Sequence, residues 1–131
     1  MPARPLSPHL SVYQMSRYTL ATSIFNRLTG LALSAGLLLL VYWLVAVAAG
    51  ARAYARAVQC LSLPLMKLLF LALIIAFSYH LVAGIRHLVW DSGRALERAQ
   101  SRRSAWLVIV VSLLLAFGIA CAAWLTGART P

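Results

Sequence analysis

The residues of this chain best suited to chemistry stand together near its middle. In Ser78-Tyr79-His80-Leu81-Val82-Ala83-Gly84-Ile85-Arg86-His87-Leu88-Val89-Trp90-Asp91, two imidazoles, a guanidinium and a carboxylate close a long apolar run. Ionisable groups are costly inside a bilayer, so a histidine embedded in such a run marks a candidate functional site. Neutral imidazole is also a common axial ligand of haem iron. The combination points toward a membrane cytochrome.

The composition fits a membrane chain. Of 131 residues, 63% are hydrophobic, and only two acids, Asp91 and Glu97, stand against twelve Lys and Arg. The basic residues are scattered and cap apolar runs instead of forming a patch interleaved with aromatics, so a nucleic-acid partner is not expected. Cys60 and Cys121 stand singly, without the paired spacing of a zinc or iron–sulfur site. Residues 1–16 lack the apolar core of a cleavable signal peptide and the Arg/Ser-rich pattern of a transit peptide. The expectation is a bacterial inner-membrane protein whose first span directs insertion.

A membrane-crossing helix needs roughly 20 mostly apolar residues. Three segments qualify, at about 28–49, 64–89 and 105–126, giving an all-α membrane protein with three transmembrane helices. Pro64 suits a first helical turn, and Trp106 and Trp124 bracket the third span as interfacial anchors. Residues 1–27 form an N-terminal arm whose second half leads helically into the first span. The connections 50–63 and 90–104 are too short for a separate domain, and residues 127–131 are a short tail. Arg4, Arg17, Arg27, Arg86, Arg94, Arg98, Arg102 and Arg103 lie on one side, against Arg52, Arg56, Lys67 and Arg129 on the other. The positive-inside rule then puts the N-terminus in the cytoplasm and the C-terminus in the periplasm.

This topology brings the start of span one, with Ser23, Asn26 and Arg27, to the depth of Arg86 and His87 at the end of span two. His80 precedes Arg86 by six residues, so it sits about 9 Å below that boundary, inside the membrane. A histidine hydrogen-bonded to a neighbouring helix is the plainer reading, and an iron ligand is the other. Ala76, Ala83, Gly84 and His87 share the His80 face. The three small ones would leave a flat strip for a planar macrocycle, or simply permit close helix packing. His87 lies about 10 Å further along, too far to bind the opposite face of the same iron. Arg86, His87 and Arg27 suit haem propionates, unless the arginines only snorkel to the interface. A six-coordinate haem would still need a second axial ligand, which would have to come from another chain, because His9 belongs to the arm and no other histidine remains.

The segment Tyr79-His80-x-x-x-Gly84-Ile85-Arg86-His87-Leu88-x-Trp90-Asp91 also resembles the signature of the large cytochrome b anchor subunits of succinate dehydrogenase, respiratory complex II. The arm Arg4-Pro5-Leu6-Ser7-Pro8-His9-Leu10-Ser11-Val12-Tyr13 is similar to the opening of its mitochondrial and alphaproteobacterial branch. Ser23-Ile24-Phe25-Asn26-Arg27-Leu28-Thr29-Gly30 is similar to its Ser-x-x-His-Arg-x-Thr/Ser-Gly motif. The resemblance spans all three helices in order. It implies a subunit of succinate:ubiquinone oxidoreductase that packs with a small membrane-anchor subunit into a haem-containing bundle. His80 would ligate haem b, the small anchor would supply the partner ligand, and Ser23 and Arg27 would form part of the ubiquinone site. It further implies an iron–sulfur subunit and a flavoprotein, the latter carrying succinate oxidation, with no catalytic residue for that step in this chain. Asn26 replaces the family's usual histidine and cannot carry a proton at physiological pH. A fumarate reductase anchor shares this architecture, and a cofactor-free scaffold would use His80 only for packing.

Overall fold

The computed structural model describes residues 17–127, with side chains from residue 20 onward. The arm motif with His9, and Arg129 in the tail, lie outside the described residues. The chain forms α1 (Arg17–Ala48), α2 (Ala51–Leu61), α3 (Pro64–Asp91) and α4 (Arg98–Gly127). Helices α1, α3 and α4 are each long and apolar enough to cross a membrane. In hydrocarbon every backbone N–H and C=O must be satisfied within its own segment, which long apolar runs achieve as helices. The 28 residues of α3 extend about 42 Å, beyond a hydrocarbon core of about 30 Å, so its ends reach the polar interface.

Local chemistry sets the ends of α3. Pro64 occupies its first turn, where the missing N–H costs nothing. At the other end Gly93 adopts a left-handed φ of 77°. Its N–H donates to the Trp90 carbonyl at 2.8 Å, and the Arg94 N–H donates to Val89 at 3.3 Å. That pair of bonds is a Schellman stop, which glycine permits without strain. Two residues on, Ala95 also takes a positive φ, 58°. Its carbonyl accepts the Trp90 indole N–H at 3.2 Å, which ties the loop back onto α3.

Helix α3 is central and packs on both α4 and α1. Apart from Arg86, the buried positions are small: Ala46, Ala57, Ala76, Ala83, Ala105, Ala116, Ser78, Ser112 and Thr22, with Val108 the largest aliphatic. Leucines and aromatics such as Leu31, Leu38, Phe117 and Trp124 point outward. This inverts a soluble core, because lipid gives large apolar side chains no reason to hide and small ones let backbones approach. Gly36 shows how close the approach is: a Cβ there would lie 2.9 Å from Leu73 Cδ2.

The structure differs from the expected layout in three places. The first connection is not a bare loop but the amphipathic helix α2, with Ala53, Ala57 and Leu61 turned toward α1 and α3 and Arg52 and Arg56 exposed. The last helix begins at Arg98 instead of near 105, which makes Ser101 and Ser104 helical. Ala76 and Ala83 are 7% and 2% exposed, so these two close the helix packing and do not form an open strip beside His80.

Left-handed backbone costs a non-glycine residue about 1–2 kcal/mol. Ala95→Gly is therefore expected to raise stability by up to about 1 kcal/mol after glycine's greater unfolded-state freedom is subtracted. A higher thermal midpoint in detergent would show it, and an unchanged midpoint would refute strain at this residue.

Candidate functional site

Three residues of α1 meet one imidazole of α3. His80 Nδ1 lies 3.2 Å from the Asn26 carbonyl and 3.4 Å from Thr29 Oγ1. A carbonyl can only accept, so Nδ1 carries the proton and donates. The Thr29 hydroxyl donates its own proton to the carbonyls of Phe25 at 2.7 Å and Asn26 at 3.0 Å, leaving its lone pair for the imidazole. With Nδ1 committed, Nε2 holds a free lone pair and has no hydrogen-bond partner among the described residues.

Gly30 makes this approach possible, since a Cβ at that position would sit 3.1 Å from His80 Cε1. The ring borders an open groove of about 820 Å³, walled by Gly30, Leu33 and Ser34 of α1, Leu73 and Phe77 of α3, and Ile119 of α4. No three His, Cys, Asp or Glu side chains converge among the described residues. A metal at His80 would thus need ligands from a macrocycle or another chain. One amide atom stands out nearby: Asn26 Oδ1 is buried and has no hydrogen-bond partner among the described residues.

Arg86 faces elsewhere. Six residues beyond His80 is one and two-thirds turns, about 120° round the helix. The guanidinium points inward between the three spanning helices, and the residue is 7% exposed. Its Nε donates to Ser104 Oγ at 2.9 Å and Nη1 to Thr22 Oγ1 at 3.3 Å. Nη2 reaches the Ser101 carbonyl at 2.9 Å and Ser101 Oγ at 3.3 Å. Its Cζ lies 4.0 Å from the centre of the Trp90 ring, within cation–π range. Tyr79 adds a second tie to α1 by donating from Oη to the Thr22 carbonyl at 3.1 Å, with its ring edge-on to Phe25 at 6.0 Å.

The other expected site residues are more accessible. His87 is exposed. Its Nδ1 donates to the Ala83 carbonyl at 2.8 Å, and its ring leans on Trp90 at 5.4 Å. Arg27 is exposed and Ser23 half-buried, on the same side of α1 as Gly30. The structure therefore joins His80 to Asn26, Thr29 and Gly30, and turns the Arg86 guanidinium into the bundle while His87 stays exposed, with both side chains against Trp90. Thr22, Ser101 and Ser104 were not singled out from the sequence, and Thr29 and Tyr79 stood there only as motif positions without a role. The hydroxyl spacing of Ser101 and Ser104, one turn apart beside a basic cluster, was the available signal.

Comparison with known proteins follows this geometry. The model for the succinate dehydrogenase/fumarate reductase transmembrane subunit family matches residues 1–119. The chain is 42% identical over 113 residues to the succinate dehydrogenase cytochrome b556 subunit of Paracoccus denitrificans, covering 86% of each chain. It is 38% identical over 119 residues to the mitochondrial succinate dehydrogenase cytochrome b560 subunit of Homo sapiens, covering 89% of this chain and 70% of the relative. Against the cytochrome b556 subunit of Rickettsia felis, identity is 36% over 112 residues and coverage 86% of each.

Interhelical hydrogen bonds in membranes are worth about 0.6 kcal/mol on average and up to about 1.7. Tyr79→Phe removes one such bond and keeps the ring, so stability is expected to fall by an amount in that range, read as a lower thermal midpoint in detergent. A midpoint equal to the parent's would mean that the Tyr79–Thr22 bond contributes nothing to holding α1.

Proposed function

Because this chain belongs to the succinate dehydrogenase/fumarate reductase transmembrane subunit family, as a membrane-anchor cytochrome b subunit of complex II, we propose that His80 is an axial ligand of haem b and that Ser23 and Arg27 form part of a ubiquinone-reduction site. The observation that carries the first assignment is the imidazole's commitment. Nδ1–H is held by the Asn26 carbonyl and Thr29, which fixes the tautomer that presents Nε2 as a donor. Metal-bound histidines are ordinarily held this way by their other nitrogen. Gly30 supports the fit, since its missing side chain lets the ring lie against α1 beside the groove.

When bound, the haem supplies one-electron storage within the membrane. The chain's residues hold it. His80 would hold the iron, while the exposed His87, about 10 Å further along α3, and Arg27 would hold its propionates. Arg86 was expected to join them, but its guanidinium nitrogens are all engaged inside the bundle, so it is left out of the propionate set. The open groove beside His80 suits completion by a small membrane-anchor subunit that brings the second axial ligand. An iron–sulfur subunit and a flavoprotein complete the complex and deliver electrons from succinate, and lipid covers the outward-facing leucines.

At the quinone, Ser23 Oγ–H donates to a carbonyl oxygen of the substrate. Arg27 stabilises the negative charge that develops there on reduction, a task suited to a permanently charged guanidinium. We place the complex in the bacterial inner membrane, with the N-terminal arm in the cytoplasm and the C-terminal tail in the periplasm.

His80→Ala in the assembled complex is expected to remove the b-type band from the reduced-minus-oxidised spectrum, and an unchanged haem content would overturn the ligand assignment. Arg27→Ala should lower succinate–ubiquinone activity by about tenfold or more while succinate oxidation by an artificial dye stays near the parent rate. Equal losses in both assays would assign Arg27 to assembly instead.

A further inference from the structure

Arg86 is a buried cation whose balance comes from dipoles. Its hydrogen bonds go to two serines and a threonine, and the π face of Trp90 covers it. Desolvating such a charge is expensive unless its donors are satisfied in good geometry, so the partners hold their places strictly. Those partners lie on three helices. Ser101 and Ser104 belong to α4, Thr22 to α1 and Arg86 itself to α3, so the guanidinium fixes the register of all three at one level.

That register matters to His80. Thr22 lies one helical turn before Asn26 on α1, and the Asn26 carbonyl accepts the His80 Nδ1 proton. At 3.2 Å this bond stands at the long end of the N–H···O range, so a slide or rotation of α1 by about 0.3 Å would take it out of range. The strength of this bond governs how basic Nε2 is, because pulling on the Nδ1 proton gives the ring imidazolate character. Tyr79 Oη on the Thr22 carbonyl is a second tie at the same point of α1, but it bears on the backbone and carries no charge.

We propose that Arg86 is a positioning residue: by clamping α1 and α4 to α3 through Thr22, Ser101 and Ser104, it sets the His80–Asn26 hydrogen bond and so the donor strength of His80 toward the haem iron. This rests on the reading that His80 ligates haem. It gives Arg86 a role through the protein interior, away from the propionates.

The test uses the assembled complex with Arg86→Lys, Ser104→Ala and Thr22→Val. The readouts are the low-spin ferric haem signal in electron paramagnetic resonance, the haem midpoint potential by redox titration, and the thermal midpoint. Weakening the Nδ1 bond makes His80 a poorer donor to ferric iron. All three variants are therefore expected to shift the resonance and raise the potential in the same direction. Arg86→Lys should give the largest shift, since one ammonium cannot reproduce the fork that reaches α1 and α4 together. Two outcomes overturn the proposal. In one, Arg86→Lys behaves like the parent while Ser104→Ala and Thr22→Val leave the haem unmoved, as a propionate contact would predict. In the other, the thermal midpoint drops with no change in resonance or potential, as a merely structural clamp would give. If Arg86→Lys fails to assemble, the two hydroxyl variants decide by the same criteria. His80→Ala separates the levels, because haem retained in that variant removes the ligand reading itself, whereas haem lost there with unmoved spectra in the other three refutes only the role of Arg86.

Discussion

Between helices in a bilayer the force that packs a soluble core is nearly silent, because lipid tails are as apolar as leucine. What holds this chain together is correspondingly sparse: small side chains that let backbones meet, and a few hydrogen bonds placed at one end. The buried guanidinium of Arg86 concentrates those bonds. It reaches α1 and α4 from α3 and lies over Trp90, and the Trp90 indole in turn holds the Ala95 loop that leads into α4. The position of α1 against His80 depends on this knot.

The imidazole illustrates how a membrane protein makes one nitrogen reactive by occupying the other. Asn26 and Thr29 take the Nδ1 side, and Gly30 gives the ring room to lie against α1. None of the three is ionisable. Orientation is achieved with a backbone carbonyl, a hydroxyl and a missing side chain, which add no further charge to a place where charge is costly.

Hydropathy made the three spans legible because each apolar run is long enough for only one structure in lipid. His80 was legible for the opposite reason, as the residue that breaks such a run. Arg86 was assigned to the propionates from its depth alone, whereas six positions along a helix turn its side chain about 120° from His80, and its guanidinium bonds inward to α1 and α4. Ser101 and Ser104 were hidden by assigning them to a loop, and α2 by its brevity, although Ala53, Ala57 and Leu61 recur at the four-residue spacing of a buried helical stripe. The meeting of Thr22, Asn26 and Thr29 with α3 required rotation angles, which periodicity does not supply when a helix is apolar all round.

The uneven covering of the spans has a consequence for how the molecule comes together. In α3 and α4, 22% of the most apolar window is buried within the chain, but in α1 only 6%. Helices α3 and α4 bury more of their apolar windows within the chain than α1 does, and α1 meets α3 closely at Gly30 and Gly36 and through the polar ties of Thr22 and Asn26. The helix that steadies the imidazole is thus the span whose apolar window is least covered by its own chain. A neighbour covering that outward surface would bear on α1, and through it on the Asn26–His80 bond, without touching His80.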